Sequence, residues 1–170
     1  KLLEKNLPPG IHVITYDHRI DLLKLMIVGN SGSPHYLNIF QFDLQLPPSY
    51  PEEPPTVHFH SRGNRMNPNL YLNGNVCLSL LNTWKSSLPS QRWDPTNSNL
   101  LQVFISLQGL VIGCAEPYYL EAGYEKQIGQ SLACLNSHLY NETALIASLQ
   151  HLASYCNAPL QAHPFVNVVL

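Results

Sequence analysis

Four cysteines stand far apart in the 170-residue chain, at positions 77, 114, 134 and 156. Only Cys77 has neighbours that suggest chemistry. It lies in a stretch of weak periodicity, Ser61 to Gln91, with Asn67-Pro68-Asn69, Gly74 and Trp84. Long irregular segments in compact domains are usually functional or disordered. Leu70, Tyr71, Val76, Leu78, Leu80 and Leu81 give this one the apolar surface of an ordered loop. A thiolate is both a nucleophile and a leaving group, which suits acyl transfer. No Lys, Arg or His lies within four residues of Cys77, which counts against a hydrolytic Cys–His pair. A lone cysteine is more often a buried apolar side chain, the reading for Cys114, Cys134 and Cys156.

Other candidates carry less. His58 and His60 share one face of a strand, but without a third ligand nearby they make no metal site, and no cofactor is expected. Asn141-Glu142-Thr143 matches a glycosylation acceptor, yet Asn141 reads better as the cap of a helix. No C-x-x-C pair or dense cysteine framework is present, so a reducing compartment, cytosol or nucleus, is expected. A net charge of -2 offers no basic face for nucleic acid. No apolar run approaches the roughly 18 residues of a membrane span.

The elements that must position Cys77 can be read from periodicity. Phe40, Phe42, Leu44 and Leu46 alternate with polar residues as in a half-buried strand. Asp21 to Val28 continues this pattern, with Val13 to Arg19 before it and a Gly/Ser turn, Gly29 to Pro34, after it. Thr56 to His60 is a fourth short strand, behind a proline cluster that cannot join a ladder. Leu100, Leu101, Val103, Phe104, Leu107, Leu110 and Val111 then repeat at helical spacing, with Gly113 as the stop. A second helix is predicted from about Glu142 to Tyr155, and Pro159 and Pro164 break up the tail. Strands followed by helices predict an α+β domain: a four-stranded antiparallel meander with helices packed on it.

Four blocks resemble, in order, the signatures of ubiquitin-conjugating enzymes: Tyr50-Pro51-Glu52-Glu53-Pro54-Pro55, Asn67-Pro68-Asn69-Leu70-Tyr71, Gly74-Asn75-Val76-Cys77-Leu78 and Trp93-Asp94-Pro95. Cys77 is eight residues after Asn69, as in that family. The runs from Val76 to Trp84 and Glu116 to Tyr124 are most similar to the O-type hybrid conjugating enzyme/ligases and their plant relatives. The giant BIR-repeat-containing conjugating enzyme is more distant. The resemblance implies the UBC fold, with a catalytic core over 8–125 and a C-terminal helical extension over 126–170. It also implies excision from a longer polypeptide.

By the same resemblance, Cys77 carries ubiquitin as a thioester taken from an activating enzyme and passed to substrate lysines. Exchange between thioesters is close to balanced, so the thiol needs no strong activator. Asn69 matches the residue that stabilises the oxyanion or holds the active-site loop. Asn67 replaces the family's usual His, which is mainly structural. Ser79 stands where many members carry an acidic gate, leaving Glu116 and Glu121 as candidates for orienting the incoming lysine. Glu52 occupies the position of an apolar contact to RING ligases, which puts RING recruitment in doubt. The segment Asn82 to Arg92 is longer than in small members; it either shapes access to Cys77 or is a tolerated insertion. Residues 1 to 7 supply at most a remnant of the family's first helix. Two alternatives stay open: an inactive ubiquitin-binding module, and a ubiquitin-like modifier in place of ubiquitin.

Overall fold

The fold is that of a computed structural model, which describes residues 7–84, 89–159 and 165. Four strands form one antiparallel sheet in sequential order: β1 (Ile11–Thr15), β2 (Leu22–Val28), β3 (Ile39–Gln45) and β4 (Thr56–Phe59). Register matches the apolar rows. Leu23 faces Leu44, Leu25 faces Phe42, Ile27 faces Phe40, and Phe42 also faces Phe59. These side chains are all buried, which fixes the register because a slip of one residue would turn the whole row to solvent. The first strand starts and ends earlier than expected. Tyr16 to Arg19 turn instead, with Arg19 N–H donating to the Tyr16 carbonyl and its guanidinium forked on Asp21 at 2.9 and 2.8 Å.

Helix α1 (Leu100–Ser106) begins with a capping box, the Asn99 side chain and Gln102 satisfying each other's backbone N–H. It does not continue as a regular helix. Residues Leu107–Ile112 are a π-helical segment that ends where Gly113 N–H donates to the Gln108 carbonyl at 2.7 Å. The wider turn buries Gln108 and Ile112 and rotates Leu110 outward, leaving it 65% exposed rather than on the core face.

The last helix is longer than its sequence suggests. Helix α2 runs Ser131–Cys156, so Asn141 lies mid-helix and caps nothing. Polar residues that look like breaks find partners across the packing seam. Ser137 donates to Glu116 at 2.9 Å, Asn136 to the Tyr118 hydroxyl at 3.4 Å, and Asn141 to the Ala115 carbonyl at 2.8 Å. Further along, the His151 ring stacks on Phe40 and Phe59 at centroid distances of 6.0 and 6.1 Å. No helix among the described residues is long and apolar enough to cross a membrane.

Two cysteine expectations fail. Cys134 and Cys156, on α2, are exposed rather than packed, and of the three expected in the core only Cys114 is partly covered, its thiol pushed upward in pKa by burial.

Candidate active site

Two of the sequence blocks meet directly. The Trp93 indole N–H donates to the Pro51 carbonyl at 2.7 Å, and its ring lies 5.8 Å from that of Tyr50. This contact ties the proline-rich connection before β4 to the approach to α1, and the Cys77 loop runs between them. Residues on that loop are held by a second set of bonds. Leu70 bridges to Val76, Tyr71 N–H donates to the Asn75 carbonyl, and Gly74 N–H returns to Tyr71. Gly74 has φ +89°, and a Cβ there would fall 2.0 Å from the His58 ring, so only glycine fits. His58 therefore packs on the turn, while His60 contacts Asp43 at 2.9 Å.

Asn69 and Cys77 clamp each other. Cys77 N–H donates to the Asn69 carbonyl at 2.8 Å, and Asn69 Nδ2 donates to the Cys77 carbonyl at 2.9 Å. One residue turn earlier, Asn67 is fully buried: its Oδ1 accepts from Asn69 N–H at 2.9 Å and its Nδ2 donates to Val111 at 2.9 Å. Asn67 Nδ2 also lies 3.5 Å from His35 Nε2, and His35 Nδ1 lies 2.9 Å from Ser148 Oγ. The cysteine backbone is thus fixed through Asn69 and Asn67 to the π-helical segment after α1 and, through His35, to α2. Burial lowers the His35 pKa from 6.5 to about 4.

Two contributors, Thr83 and Tyr71, are not among the candidate site residues read from the sequence. Thr83 Oγ1 donates to Val76 at 2.6 Å and accepts from Leu78 N–H at 2.9 Å, closing the loop on either side of Cys77. Tyr71 places its hydroxyl 3.7 Å from Cys77 Sγ, and the Thr83 carbonyl lies 3.7 Å from the same sulfur. The hydrogen bond with Cys77 is the largest cause raising the Tyr71 pKa; burial, the thiol and Glu121 add to it, and Arg65 opposes. Arg65 lies 5.1 Å from the Tyr71 ring centre and 3.8 Å from Glu121. The signal for Tyr71 was its place two residues after Asn69; Thr83 gave none, because its partners are backbone groups.

The remaining candidates do not all converge. Cys77, Tyr71 and Thr83 line a cleft of about 690 Å³ that extends to Pro55 and Val57. Asn69 and Ser79 line a different one, about 780 Å³, with Tyr119, Glu125 and Lys126. Cys77 lines the first cleft, while its neighbours Leu78 and Ser79 line the second. Glu121 reaches the cysteine side through Arg65, whereas Glu116 is held against α2 by Ser137. Ser79 also borders a third groove of about 650 Å³, between the loop and α1. The part of the Asn82 to Arg92 insertion at 85–88, and the residues 1–6 of the expected helix remnant, lie outside the described residues.

The family model described as ubiquitin-conjugating enzyme matches residues 1–147 of the chain. The chain belongs to the ubiquitin-conjugating enzyme family. It is 46% identical over 159 residues to the probable ubiquitin-conjugating enzyme E2 23 of Arabidopsis thaliana, covering 94% of this chain and 14% of that protein. The probable ubiquitin-conjugating enzyme E2 24 of the same plant is also 46% identical, over 92% of this chain and 17% of its own length. The human dual E2 ubiquitin-conjugating enzyme/E3 ubiquitin-protein ligase BIRC6 is 41% identical over 128 residues, 74% of this chain and 3% of that protein. The chain thus spans under a fifth of the length of these three family members. Its α+β architecture, with a four-stranded meander carrying the cysteine loop, is the family's UBC fold.

Proposed function

We propose that Cys77 accepts ubiquitin's C-terminus from an activating enzyme as a thioester and passes it to a substrate lysine. The observation that carries this reading is the Asn69–Cys77 clamp, which fixes the backbone on both sides of the peptide while leaving the sulfur at a cleft. Loading is a thiol exchange. The Cys77 thiolate attacks the carbonyl of the incoming thioester, a new C–S bond forms, and the donor's thiolate leaves. In discharge a lysine amine attacks the same carbonyl, the C–N bond forms, and Cys77 departs as thiolate while the amine loses its proton. Asn69 either keeps the loop in place or offers its amide to the oxyanion; its present bond to the Cys77 carbonyl supports the first role. Tyr71, ordered by Arg65, gives the departing thiolate a hydrogen-bond donor. Glu121 is the carboxylate tied to this side, with Glu116 and Ser79 on neighbouring surfaces as further lysine-orienting candidates.

Residues 8–125 are proposed as the catalytic core and 126–170 as a helical extension. Glu52 is exposed at the tip of the proline-rich connection, where a carboxylate disfavours an apolar RING contact. That supports a hybrid conjugating enzyme/ligase, the character named for BIRC6. The decisive experiment incubates the chain with activating enzyme, ATP and ubiquitin and resolves it on a non-reducing gel. A reductant-sensitive adduct is expected, replaced in Cys77→Ser by an oxyester that resists reductant. No adduct would leave an inactive ubiquitin-binding module as the better description, and loading with a ubiquitin-like modifier alone would change the donor.

A further inference from the structure

Helix α2 is built inside out. The residues it turns toward the domain are small or polar: Ala133, Ser137, Ala144, Ser148, His151 and Tyr155. The opposite side carries Leu132, Leu135, Leu139, Ile146 and Leu149, from 53% exposed at Leu139 to 70% at Leu132. At roughly 100° per residue the two rows lie on opposite sides of the helix. Small and polar inward residues let α2 pack against the segment Ala115 to Leu120; they do not explain five aliphatic side chains facing out.

The outward row has coiled-coil spacing. Positions 132, 135, 139, 142, 146 and 149 alternate steps of three and four, the a and d sites of successive heptads, and only Glu142 among them is polar. The flanking sites are Asn136, His138, Thr143, Leu145, Gln150 and Leu152, so no fixed charge discriminates among partners. That composition disfavours a charged partner helix, which would leave its own charges unpaired, and permits a second copy. The row also matches itself. Set antiparallel about a two-fold axis, Leu132 faces Leu149 of the second copy, Leu135 faces Ile146, and Leu139 faces Glu142, and each pairing recurs across the axis. The five side chains expose on the order of 500 Å² per copy, a large part of the roughly 800 Å² that each partner contributes to a standard interface.

We propose that the outward face of α2 is a self-association surface, on which two copies pair antiparallel through Leu132, Leu135, Leu139, Ile146 and Leu149. The register places Glu142 in an apolar seam and makes it the weakest position.

Sedimentation equilibrium of the 170-residue chain, over micromolar to sub-millimolar concentration, tests the pairing. The expected result is a reversible shift from the 19.1 kDa chain mass toward twice that value. The double variant Leu139→Glu with Ile146→Glu should stay monomeric with unchanged helical circular dichroism, since both positions are exposed. Glu142→Leu should tighten association at least tenfold. With the native cysteines replaced by serine, Leu135→Cys together with Ile146→Cys should give a disulfide-linked dimer on mild oxidation, and Leu135→Cys alone should not. A chain that remains monomeric at the highest concentration, or association unaffected by the double variant, overturns the proposal and leaves the face to another kind of partner. Cross-linking by Leu135→Cys alone overturns the antiparallel register.

Discussion

Acid should loosen the cysteine loop through His35, well before carboxylates titrate. His35 is fully buried between Asn67 and Ser148. Asn67 Nδ2 donates to Val111, and its other proton faces His35 Nε2, so that ring nitrogen must accept and Nδ1–H must donate to Ser148. Protonation would set an N–H against the Asn67 amide, two donors in contact. The pKa is lowered from 6.5 to about 4, so below pH 6.5 the unfolded chain binds a proton that the folded chain refuses. The unfolded state then holds more protons, and stability falls as pH drops from 6.5 toward 4, levelling beneath that. Integrated from pH 7.5 to 5, the loss from this one group is about 2 kcal/mol. His151, whose pKa is also lowered mainly by burial, adds in the same direction. Urea unfolding at closely spaced pH values is the assay, run on the chain and on His35→Gln. The variant should begin less stable at pH 7.5 but lose about 2 kcal/mol less on the way to pH 5. Parallel stability curves for the two proteins would show that His35 is not the group, and would refute the neutral-tautomer argument with it.

Three other outcomes follow from the loop. Thr83→Val keeps the shape of the side chain but strands Leu78 N–H and frees Val76; thioester formation in single-turnover assays should slow several-fold, with stability reduced by about 1–2 kcal/mol. Thr83→Ser should restore both, and a Val variant that charges at the normal rate would remove Thr83 from the site. Asn69→Ala should still accept ubiquitin but discharge to free lysine at least tenfold more slowly; equal discharge would reduce Asn69 to a turn residue. Trp93→Phe deletes the indole bond to Pro51 while keeping most of the ring, and should cost about 1–2 kcal/mol in urea unfolding without changing the Cys77 chemistry.

The meander and the cysteine loop could be read from the sequence because their signals are local. Alternation places β2 and β3 nearly to the residue, since each has one continuous buried apolar row, and the proline cluster marks where β4 begins. The spacing of Asn69 and Cys77 was informative because the two residues pair across a short turn. What failed were properties set by distant partners. Helix α2 begins at Ser131 rather than near Glu142, because Asn136, Ser137 and Asn141 are satisfied by Tyr118, Glu116 and Ala115 from outside the helix. Cys134 and Cys156, expected in the core, are exposed, since a composition argument cannot say which side of a helix faces in. The clefts likewise join segments separated in sequence, residues 47–57 with 71–83 in one and 69–79 with 110–126 in another, so the spacing of Ser79, Glu116 and Glu121 does not foretell their different surroundings.

The π-helical segment at Leu107–Ile112 sets the phase of the active site. Asn67 hooks onto the Val111 carbonyl, a group in the turn where the helix takes on extra residues per revolution. In a uniform α-helix, residues beyond Ser106 would advance faster around the axis, and Val111 would present its carbonyl to a different azimuth. The hook would then miss, and with it the chain of bonds that runs through Asn69 to Cys77. Deleting one residue between Leu107 and Leu110 would be a small change in composition but a change of angle at a point where the helix steers the loop. The cysteine's position is therefore encoded partly as a timing offset in a helix that reaches it through Asn67 and Asn69.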